Sequence, residues 1–330
     1  MTSSPHPVCI VGAGPCGLAA AVALRVAGID AVVFDRSCIV SAIAGYPTYV
    51  TFFSTPEKLT VGDVPFSVAG EKPTRREGLE YYRRVVERYG LRVRQYEDVK
   101  HVDSGGSGEF MVHTRPVHGE AVVFPARALI VATGYFAAPN MLGVTGEDLP
   151  HVSHRFVEGH PSFQRDCVVV GGGNSAVECA LELARCGARV TLIHYESGFV
   201  SHVIKPWILP EFEQRVRAGE IVTRFGARVS AIEPGRLFLA TSEGAAHMNA
   251  QHVFLLTGYT PGPGLLAPMG VEFNPKTGVP AHDPATMETP VRGVFVAGVI
   301  TSGNKANGIF IENGRGHGAL IAAALGARSS

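Results

Sequence analysis

Two glycine-rich stretches carry the residues of this chain whose types and spacing best suit chemistry. The first is "VGAGPCG", with Gly12, Gly14 and Gly17 spaced as G-x-G-x-x-G, and the second is "VGGGNSA", with Gly171, Gly173 and Ala176. Such a loop lets backbone amides at a helix N-terminus approach a pyrophosphate. Two copies, each between an apolar strand and a helix, predict two dinucleotide-binding sites. The alternative is that the glycines only tighten the packing of helix on strand.

The helix starts complete these predicted sites. Pro15 suits the first turn of a helix. Asn174 and Ser175 hold the matching positions of the second copy. We therefore assign all three residues to cofactor binding.

The residue that ends the second strand of each copy distinguishes the two sites. It is Asp35 in the first and His194 in the second, each 21 residues beyond the middle glycine. A carboxylate there hydrogen-bonds a free ribose 2′-OH and repels a 2′-phosphate, so Asp35 favours FAD. His194, with His202 and Lys205 downstream, removes that repulsion and favours NADPH. The alternative is a strand-end histidine with solvated neighbours. A flavin with a nicotinamide predicts a hydride-transfer enzyme.

A β-α-β pattern positions each loop. Strand, helix and strand are predicted first at "VCIVGAG", "PCGLAAAVALRVAG" and "DAVVFD", and again at "CVVVGGG", "NSAVECALELARCG" and "ARVTLIHY". The first helix is apolar on every side, which predicts that it is buried. The predicted fold class is α/β, with two Rossmann-like, three-layer domains.

The remaining elements suggest that one domain is inserted in the other. We predict a helix at "RREGLEYYRRVVERYG", one strand each at "GEFMVHT" and "EAVVFPARALIVATG", and a final helix from about Ile311 to Leu325. The second loop lies within an insert. We therefore predict an FAD-binding domain of residues 1–139 and 255–330, and an NAD(P)H-binding domain of residues 140–254.

Composition excludes several classes of partner. The 330 residues include 29 Lys and Arg against 29 Asp and Glu, which leaves no basic footprint for nucleic acid or anionic membranes. No targeting segment or membrane span is apparent. The six cysteines form no Cys-x-x-Cys, and the histidines of "HVSHRFVEGHP" are interpreted as part of a solvated linker. We expect a cytoplasmic protein without a metal site.

Three further motifs accompany the duplicated loops: "LIVATG", "FLLTGYTP" and "VFVAGVI". Together they resemble the low-molecular-weight thioredoxin reductase group of pyridine nucleotide-disulfide oxidoreductases. The resemblance implies an FAD domain interrupted by an NADPH domain, a homodimer, and FAD contacts from Thr133, Gly134 and Gly298. Two features depart from that group. Its redox Cys-x-x-Cys before the second loop is missing from "VSHRFVEGHPSFQRD", and Val299 stands where it has aspartate.

Four longer motifs narrow the resemblance: "GAGPCG", "YPTYVTFFST", "VIKPWILPEF" and "AGVITSGNKANGIFIENGRGHG". They are similar to the bacillithiol-disulfide or bacilliredoxin reductase family, which lacks the dithiol, carries the valine and has a cysteine in the first glycine loop. The resemblance implies NADPH-dependent, FAD-mediated reduction of oxidised bacilliredoxin or bacillithiol disulfide, with Cys16 as the candidate redox thiol.

Cys16 is subject to opposing influences. A helix N-terminus lowers the pKa of a thiol, whereas a neighbouring pyrophosphate raises it. The alternative interpretation is that Cys16 is a small residue accepted where alanine would serve.

Further flavin contacts are predicted in two loops. Phe52, Phe53 and Tyr135 are candidates to line the flavin, and the alternative is that these aromatic side chains fill the core. The final helix follows "NKANGIF", and the backbone from Asn307 through Gly308 and Ile309 to Phe310 is predicted to stabilise charge at the flavin N1/O2 edge.

Three rival functions stay open on the sequence. A flavin monooxygenase also pairs two glycine loops with "ATGY", although the F-x-G-x-x-x-H spacing is absent before the second loop. A dithiol-free ferredoxin- or flavodoxin-type NADP reductase has a similar arrangement and passes single electrons. The non-enzymatic alternative is a flavoprotein that senses the NADPH/NADP⁺ ratio and docks a partner.

Overall fold

The computed structural model describes residues 6–104, 108–136, 138–200, 204–260, 264–304 and 308–328. Contacts within the chain divide it into two compact units. Unit 1 is Met1–Ala138 with Thr260–Ser330, and unit 2 is Pro139–Tyr259. The domain boundaries predicted from the sequence lay after residues 139 and 254.

Eighteen strands and eight α-helices lie in the described residues. The strands are β1 (Val8–Val11), β2 (Ala31–Asp35), β3 (Val93–Gln95), β4 (Glu97–Ser104), β5 (Phe110–Pro116), β6 (Val122–Ala126), β7 (Ala128–Val131), β8 (Ala138–Pro139), β9 (Val152–Ser153), β10 (Asp166–Val170), β11 (Arg189–His194), β12 (Ile221–Phe225), β13 (Arg228–Glu233), β14 (Gly235–Thr241), β15 (Gly244–Ala250), β16 (His252–Leu255), β17 (Tyr259–Thr260) and β18 (Val294–Val296). The helices are α1 (Pro15–Val26), α2 (Ser41–Ala44), α3 (Pro56–Leu59), α4 (Arg75–Tyr89), α5 (Asn174–Arg185), α6 (Leu209–Arg217), α7 (Ile311–Gly314) and α8 (His317–Gly326). None of these helices is both long and apolar enough to cross a membrane.

Unit 1 is built on a five-stranded parallel sheet in the order β18-β7-β1-β2-β3. Every residue of β1 and β7 is buried, as expected for central strands that are covered on both faces. Helix α1 packs against α8 and α4, so its apolar surface is enclosed on several sides. An antiparallel sheet of β4, β5 and β6 packs next to β2.

Unit 2 repeats this plan with a parallel sheet in the order β9-β16-β10-β11-β12 and an antiparallel sheet of β13, β14 and β15. Successive residues of β10 point to opposite faces. Val168 and Val170 pack in the cluster that includes Leu237 of β14, whereas Val169 packs in the cluster with Ala180 of α5. The parallel sheet therefore lies between an antiparallel layer and a helical layer, which confirms the predicted three-layer arrangement.

The helices around the two glycine loops confirm the sequence predictions, and three other segments differ from them. "EAVVFPARALIVATG" forms two strands, β6 and β7, which belong to different sheets. The predicted final helix is divided into α7 and α8, with glycines at 314 and 316 around the break. The histidine-rich stretch is not a solvated linker, because it contains β9 and because both ring nitrogens of His154 are buried.

Candidate cofactor sites and the loop cysteine

The carboxyl ends of the parallel strands of unit 1 meet at one edge of the sheet, where dinucleotides bind in such folds. Four predicted segments lie there: the first glycine loop after β1, Asp35 at the end of β2, Thr133 and Gly134 after β7, and Gly298 after β18. The sheet topology thus brings together residues that are far apart in sequence.

The three glycines of the first loop are required for different structural reasons. Gly12 has a φ of +111°, and a Cβ there would lie 2.3 Å from the Ala132 carbonyl oxygen. A Cβ at Gly17 would lie 1.9 Å from the Gly12 carbonyl oxygen, so a larger residue would push α1 away from β1. Gly14 differs, because a Cβ there meets nothing within 4 Å. Gly14 is the N-cap of α1, and Pro15 is the first helical residue. The space in front of Gly14 adjoins unpaired amides and fits a pyrophosphate.

Asp35 supports the loop from the neighbouring strand. Its Oδ2 accepts a hydrogen bond from the Ala13 amide and its Oδ1 accepts one from the Ser37 amide, both at 2.8 Å. Burial raises the pKa of this carboxyl, and the two amides oppose the rise. Each carboxylate oxygen can accept a second hydrogen bond. Asp35 therefore fixes the loop and retains the capacity to bind a ribose hydroxyl.

Cys16 lies in the first turn of α1, and two other segments of unit 1 enclose its sulfur. A Cβ added to Gly298 would lie 3.1 Å from the Cys16 Sγ, and one added to Gly314 would lie 2.8 Å from it. The two glycines leave the space that the sulfur fills. Burial raises the pKa of the Cys16 thiol to about 12. The thiol is therefore protonated at neutral pH, although it lies at a helix N-terminus.

A histidine that the sequence analysis missed holds the backbone beside Cys16. The Gly298 amide donates a hydrogen bond to Nδ1 of His317, at the start of α8, over 3.1 Å. An accepting Nδ1 requires a neutral ring with its proton on Nε2. Burial lowers the pKa of His317, which favours that neutral ring. The local signal in the sequence was a histidine between glycines in "GRGHG".

Phe52, which was predicted to line the flavin, makes the contacts of a core residue. It is 8% exposed, and a Cβ at Gly78 of α4 would lie 2.6 Å from its ring. Its ring also meets that of Tyr46 edge to face. These contacts match the alternative interpretation, that the side chain fills the core. Phe53 is 49% exposed and presents a more accessible ring, and Tyr135 is partly buried beyond β7.

The segment before α7 was predicted to offer amides to the flavin. Asn307 of this segment and His202 of unit 2 lie outside the described residues. The Gly308 carbonyl accepts a hydrogen bond from Asn313 Nδ2 at 3.1 Å, and the Ile309 side chain lies against Gly314. The Phe310 amide donates to Asn313 Oδ1, so the Asn313 side chain holds this turn from both sides.

The second loop repeats the geometry of the first within unit 2. A Cβ at Gly171 would lie 2.4 Å from the Leu256 carbonyl oxygen, whereas one at Gly173 would meet nothing within 4 Å. Gly173 is the N-cap of α5, and Asn174 and Ser175 form its first turn. The open space in front of α5 therefore fits a second pyrophosphate.

His194 packs directly on this second loop. A Cβ added to Gly172 would lie 2.2 Å from the His194 ring, so only glycine leaves room for it. The ring is 7% exposed, and its buried Nδ1 has no hydrogen-bond partner among the described residues. Burial lowers the pKa of His194, and Glu196 opposes that shift. His194 is therefore neutral at pH 7: it removes the negative charge of an acid without supplying a positive one.

Lys205 is tied to the start of α5 through its backbone. Its amide donates to Asn174 Oδ1 at 2.7 Å, and its ammonium lies 5.4 Å from the centroid of the Trp207 ring, within cation–π range. Ala176, the third position of the loop, is fully buried. Glu178, four positions after Asn174 on α5, is a polar residue that the sequence does not single out. Burial raises the pKa of its carboxyl, and Lys205 opposes the rise.

A basic residue reaches the end of β11 from another strand. Arg228 begins β13, and its guanidinium carbon lies 4.6 Å from the centroid of the Tyr195 ring. Tyr195 follows His194 and is 53% exposed. The Ala227 amide donates to the His194 carbonyl at 3.2 Å, which fixes the start of β13 beside this strand end. No local pattern in the sequence indicates this cation, because Arg228 follows Tyr195 by 33 positions.

Known proteins match this chain along almost its whole length. The family model "Pyridine nucleotide-disulphide oxidoreductase" matches residues 9–298. Bacilliredoxin reductase Bdr of Bacillus subtilis (strain 168) is 47% identical over 322 residues, which cover 97% of this chain and 98% of the relative. A solved bacillithiol disulfide reductase Bdr (YpdA) from Bacillus cereus has a TM-score of 0.94 at 46% identity, covering 98% of this chain and 99% of that one. A thioredoxin reductase of Lactococcus lactis, with a TM-score of 0.78 at 19% identity and 98% coverage of each chain, shares the fold.

These matches confirm the predicted family resemblance, the thioredoxin reductase-like α/β fold and the prediction of an enzyme. FAD and NADPH are the cofactors of this family, and both glycine loops leave open space beside a helix N-terminus, where a pyrophosphate would bind. The chain is an oxidoreductase of the pyridine nucleotide-disulphide oxidoreductase family and belongs to the group of the bacillithiol disulfide reductases Bdr.

Proposed function

We propose that this enzyme uses NADPH to reduce the disulfide of oxidised bacilliredoxin or of bacillithiol. The observation that carries the proposal is the full-length similarity to reductases whose names state these substrates. When bound, FAD supplies the redox chemistry by accepting a hydride from NADPH and passing the electron pair on to the disulfide. The chain itself binds and orients the cofactors and the disulfide.

FAD is assigned to the first glycine loop, in the domain of residues 1–139 and 255–330. This assignment is supported by the Asp35 carboxylate, which suits a free ribose hydroxyl and disfavours a 2′-phosphate. NADPH is assigned to the second loop, in residues 140–254. There the neutral His194 does not repel the 2′-phosphate, and the Arg228 guanidinium beside Tyr195 offers it a cation.

Cys16 is the proposed thiol partner of the reaction. In this route its thiolate attacks one sulfur of the substrate disulfide and releases the other as a thiolate. Cleavage of the resulting mixed disulfide needs two electrons, which bound FAD would supply; it would release the second substrate sulfur as a thiolate and restore the Cys16 thiolate. Because burial raises the pKa of the Cys16 thiol to about 12, the thiol must lose its proton during the attack, and the released substrate thiolate can take that proton up. The alternative route passes the electron pair directly to the disulfide and leaves Cys16 as a packing residue.

Substitution of Cys16 separates the two routes. Cys16→Ala and Cys16→Ser should keep FAD and should still be reduced by NADPH, because neither needs the thiol. Turnover with oxidised bacilliredoxin should fall by at least about a hundredfold, the loss typical of a removed nucleophile. Cys38→Ala, which removes a partly exposed thiol of the same unit, is the matched control and should keep full turnover. Near wild-type turnover in both Cys16 variants would exclude an obligatory Cys16 intermediate and leave direct transfer or another thiol.

Steady-state assays test the substrate itself. NADPH consumption should match the thiol released from bacillithiol disulfide or oxidised bacilliredoxin, measured under anaerobic conditions. Consumption that requires ferredoxin or flavodoxin would identify a one-electron reductase, and consumption that requires oxygen and an organic substrate would identify a monooxygenase. NADPH binding without turnover of any acceptor would identify a sensor.

A homodimer in the cytoplasm completes the proposal. The dimer is supported by the resemblance to the thioredoxin reductase group, and light scattering of the FAD-loaded protein tests it. The location is supported by six cysteines that are all unpaired, as reducing compartments maintain them. Fractionation of cells that produce the protein tests that location.

A further inference from the structure

The solvent-facing side of the antiparallel sheet in unit 1 carries a cluster of metal-binding residue types. His101 of β4 lies directly opposite His113 of β5, and Asp103 follows two positions along β4 on the same face. The three residues offer donor atoms that all lie within 4.8 Å of one another. The His113 Nε2 is 2.8 Å from Asp103 Oδ2, and the two imidazole rings stack with centroids 3.9 Å apart.

A β-bulge at Lys100 brings His101 into this cluster. The strand register shifts between Val99 and His101, so one extra residue is accommodated there. Before the bulge Val99 points into the core, and after it His101 points to solvent. In a regular strand these two residues would share a face. The bulge therefore redirects the imidazole toward His113, a use of bulges that recurs beside functional sites.

The types of donor atom in the cluster indicate which metal ions it could bind. Two imidazole nitrogens and one carboxylate oxygen suit a first-row divalent transition metal, of which Zn²⁺ takes such ligands at about 2.0–2.2 Å. Two donors of one tetrahedral Zn²⁺ are then roughly 3.3–3.5 Å apart. The donors are already within 4.8 Å of one another. The His101 ring must turn out of its stack on His113 to direct a nitrogen at a shared ion, and the exposure of His101 leaves room for that rotation. Hard cations such as Mg²⁺ prefer all-oxygen ligands and are disfavoured here.

We propose that His101, Asp103 and His113, none of which belongs to a glycine loop, form a surface site for Zn²⁺. The metal replaces the direct contact between His113 and Asp103 and links β4 to β5. Three protein ligands leave a fourth position for water. No metal site is expected from the sequence. The two histidines are 12 positions apart and meet only through the strand pairing and its bulge, so no local spacing marks them as a pair.

Zn²⁺ titration of the full-length, untagged, FAD-loaded protein tests the site. Isothermal titration in the presence of excess Mg²⁺ should detect one Zn²⁺ site per chain in the wild type. His101→Ala and His113→Ala should each weaken binding by at least about tenfold, because each removes one of three ligands. His118→Ala, at an exposed histidine just beyond β5, is the matched control and should bind as the wild type does.

Two further measurements separate metal binding from a structural role of the cluster. Zn²⁺ should raise the thermal midpoint of the wild type but not that of the His101→Ala/His113→Ala double variant, because a ligand stabilises only a fold that binds it. Asp103→Asn keeps the shape of the side chain but removes its charge, and it should also weaken Zn²⁺ binding. Far-UV circular dichroism and FAD content should match the wild type in every variant. Unchanged Zn²⁺ affinity in the double variant, or no binding by the wild type, would overturn the proposal.

Discussion

The two glycine loops have the same spacing and similar backbone geometry, but the residue that supports each of them differs. In unit 1 the Asp35 carboxylate accepts the amide of Ala13. In unit 2 the His194 ring lies on the backbone of Gly172, the position that corresponds to Ala13. The loop itself offers a generic site for a pyrophosphate. Under the assignments proposed above, the residue at the strand end is the main difference by which one duplicated unit serves two nucleotides.

The largest expected effect separates the two loops at their middle glycines. Gly14→Ala should abolish FAD retention, because the new Cβ enters the space reserved for the pyrophosphate. Both Gly14 and Gly173 have extended backbones that alanine accepts, and neither Cβ would meet protein atoms within 4 Å, so both variants should fold. Gly173→Ala should keep FAD and lose reduction by NADPH. Absorbance of the purified protein and anaerobic reduction by NADPH measure the two outcomes.

Full FAD content in Gly14→Ala would contradict the assignment of the first loop. Loss of FAD in Gly173→Ala would show that the second loop is needed to hold the flavin, which contradicts its assignment to NADPH alone.

An exchange of the supporting residue tests the comparison directly. His194→Asp places in unit 2 the residue type of unit 1, and its carboxylate should repel the 2′-phosphate of NADPH. We expect the ratio of kcat/KM for NADPH to that for NADH to fall by at least about tenfold, which corresponds to about 1.4 kcal/mol. His247→Asp on β15 adds the same charge elsewhere in unit 2 and should leave the ratio unchanged. A ratio that His194→Asp does not alter would refute the assignment of His194 to the ribose site.

A smaller effect is expected at Arg228, which we propose supplies the positive charge that the neutral His194 lacks. Arg228→Gln should raise the KM for NADPH by severalfold, in line with the loss of about 1 kcal/mol from an exposed ion pair. The KM for NADH should not change, because NADH carries no 2′-phosphate. Arg236→Gln, an exposed arginine on the adjacent strand β14, is the control. Equal changes with both nucleotides would point to a structural role for Arg228.

The smallest effect is on stability in acid. Burial lowers the pKa of His194 below its ordinary value of 6.5, so the folded chain binds this proton less well than the unfolded chain. The associated stability is fully present above about pH 6.5 and is lost as the pH falls through the lowered pKa. The thermal midpoint should therefore decline more steeply on acidification in the wild type than in His194→Gln. Parallel declines would show that His194 does not contribute.

The features that the sequence predicted correctly depend on short-range spacing. The glycine loops, α1 and α5 follow from residues within about thirty positions of one another, and glycines and apolar periodicity report directly on such units. The contacts of Cys16 could not be predicted in this way. Gly298 and Gly314 follow it by 282 and 298 positions, and a glycine gives no indication of which side chain will fill the space beside it.

The strand order of unit 1 determines when its parallel sheet can be completed during translation. β18 pairs with β7 at one edge of the sheet, yet Val294 follows Val131 by 163 positions. At about 5–20 residues per second, the ribosome takes roughly 8–33 s to cover that distance. Unit 2 is a continuous stretch of chain and is synthesised completely during this interval. The edge of β7 that pairs with β18 has no partner strand until β18 is made. A nascent chain therefore has its first glycine loop long before Gly298 and Gly314 can enclose Cys16, and the enclosure of this cysteine is among the last parts of unit 1 to form.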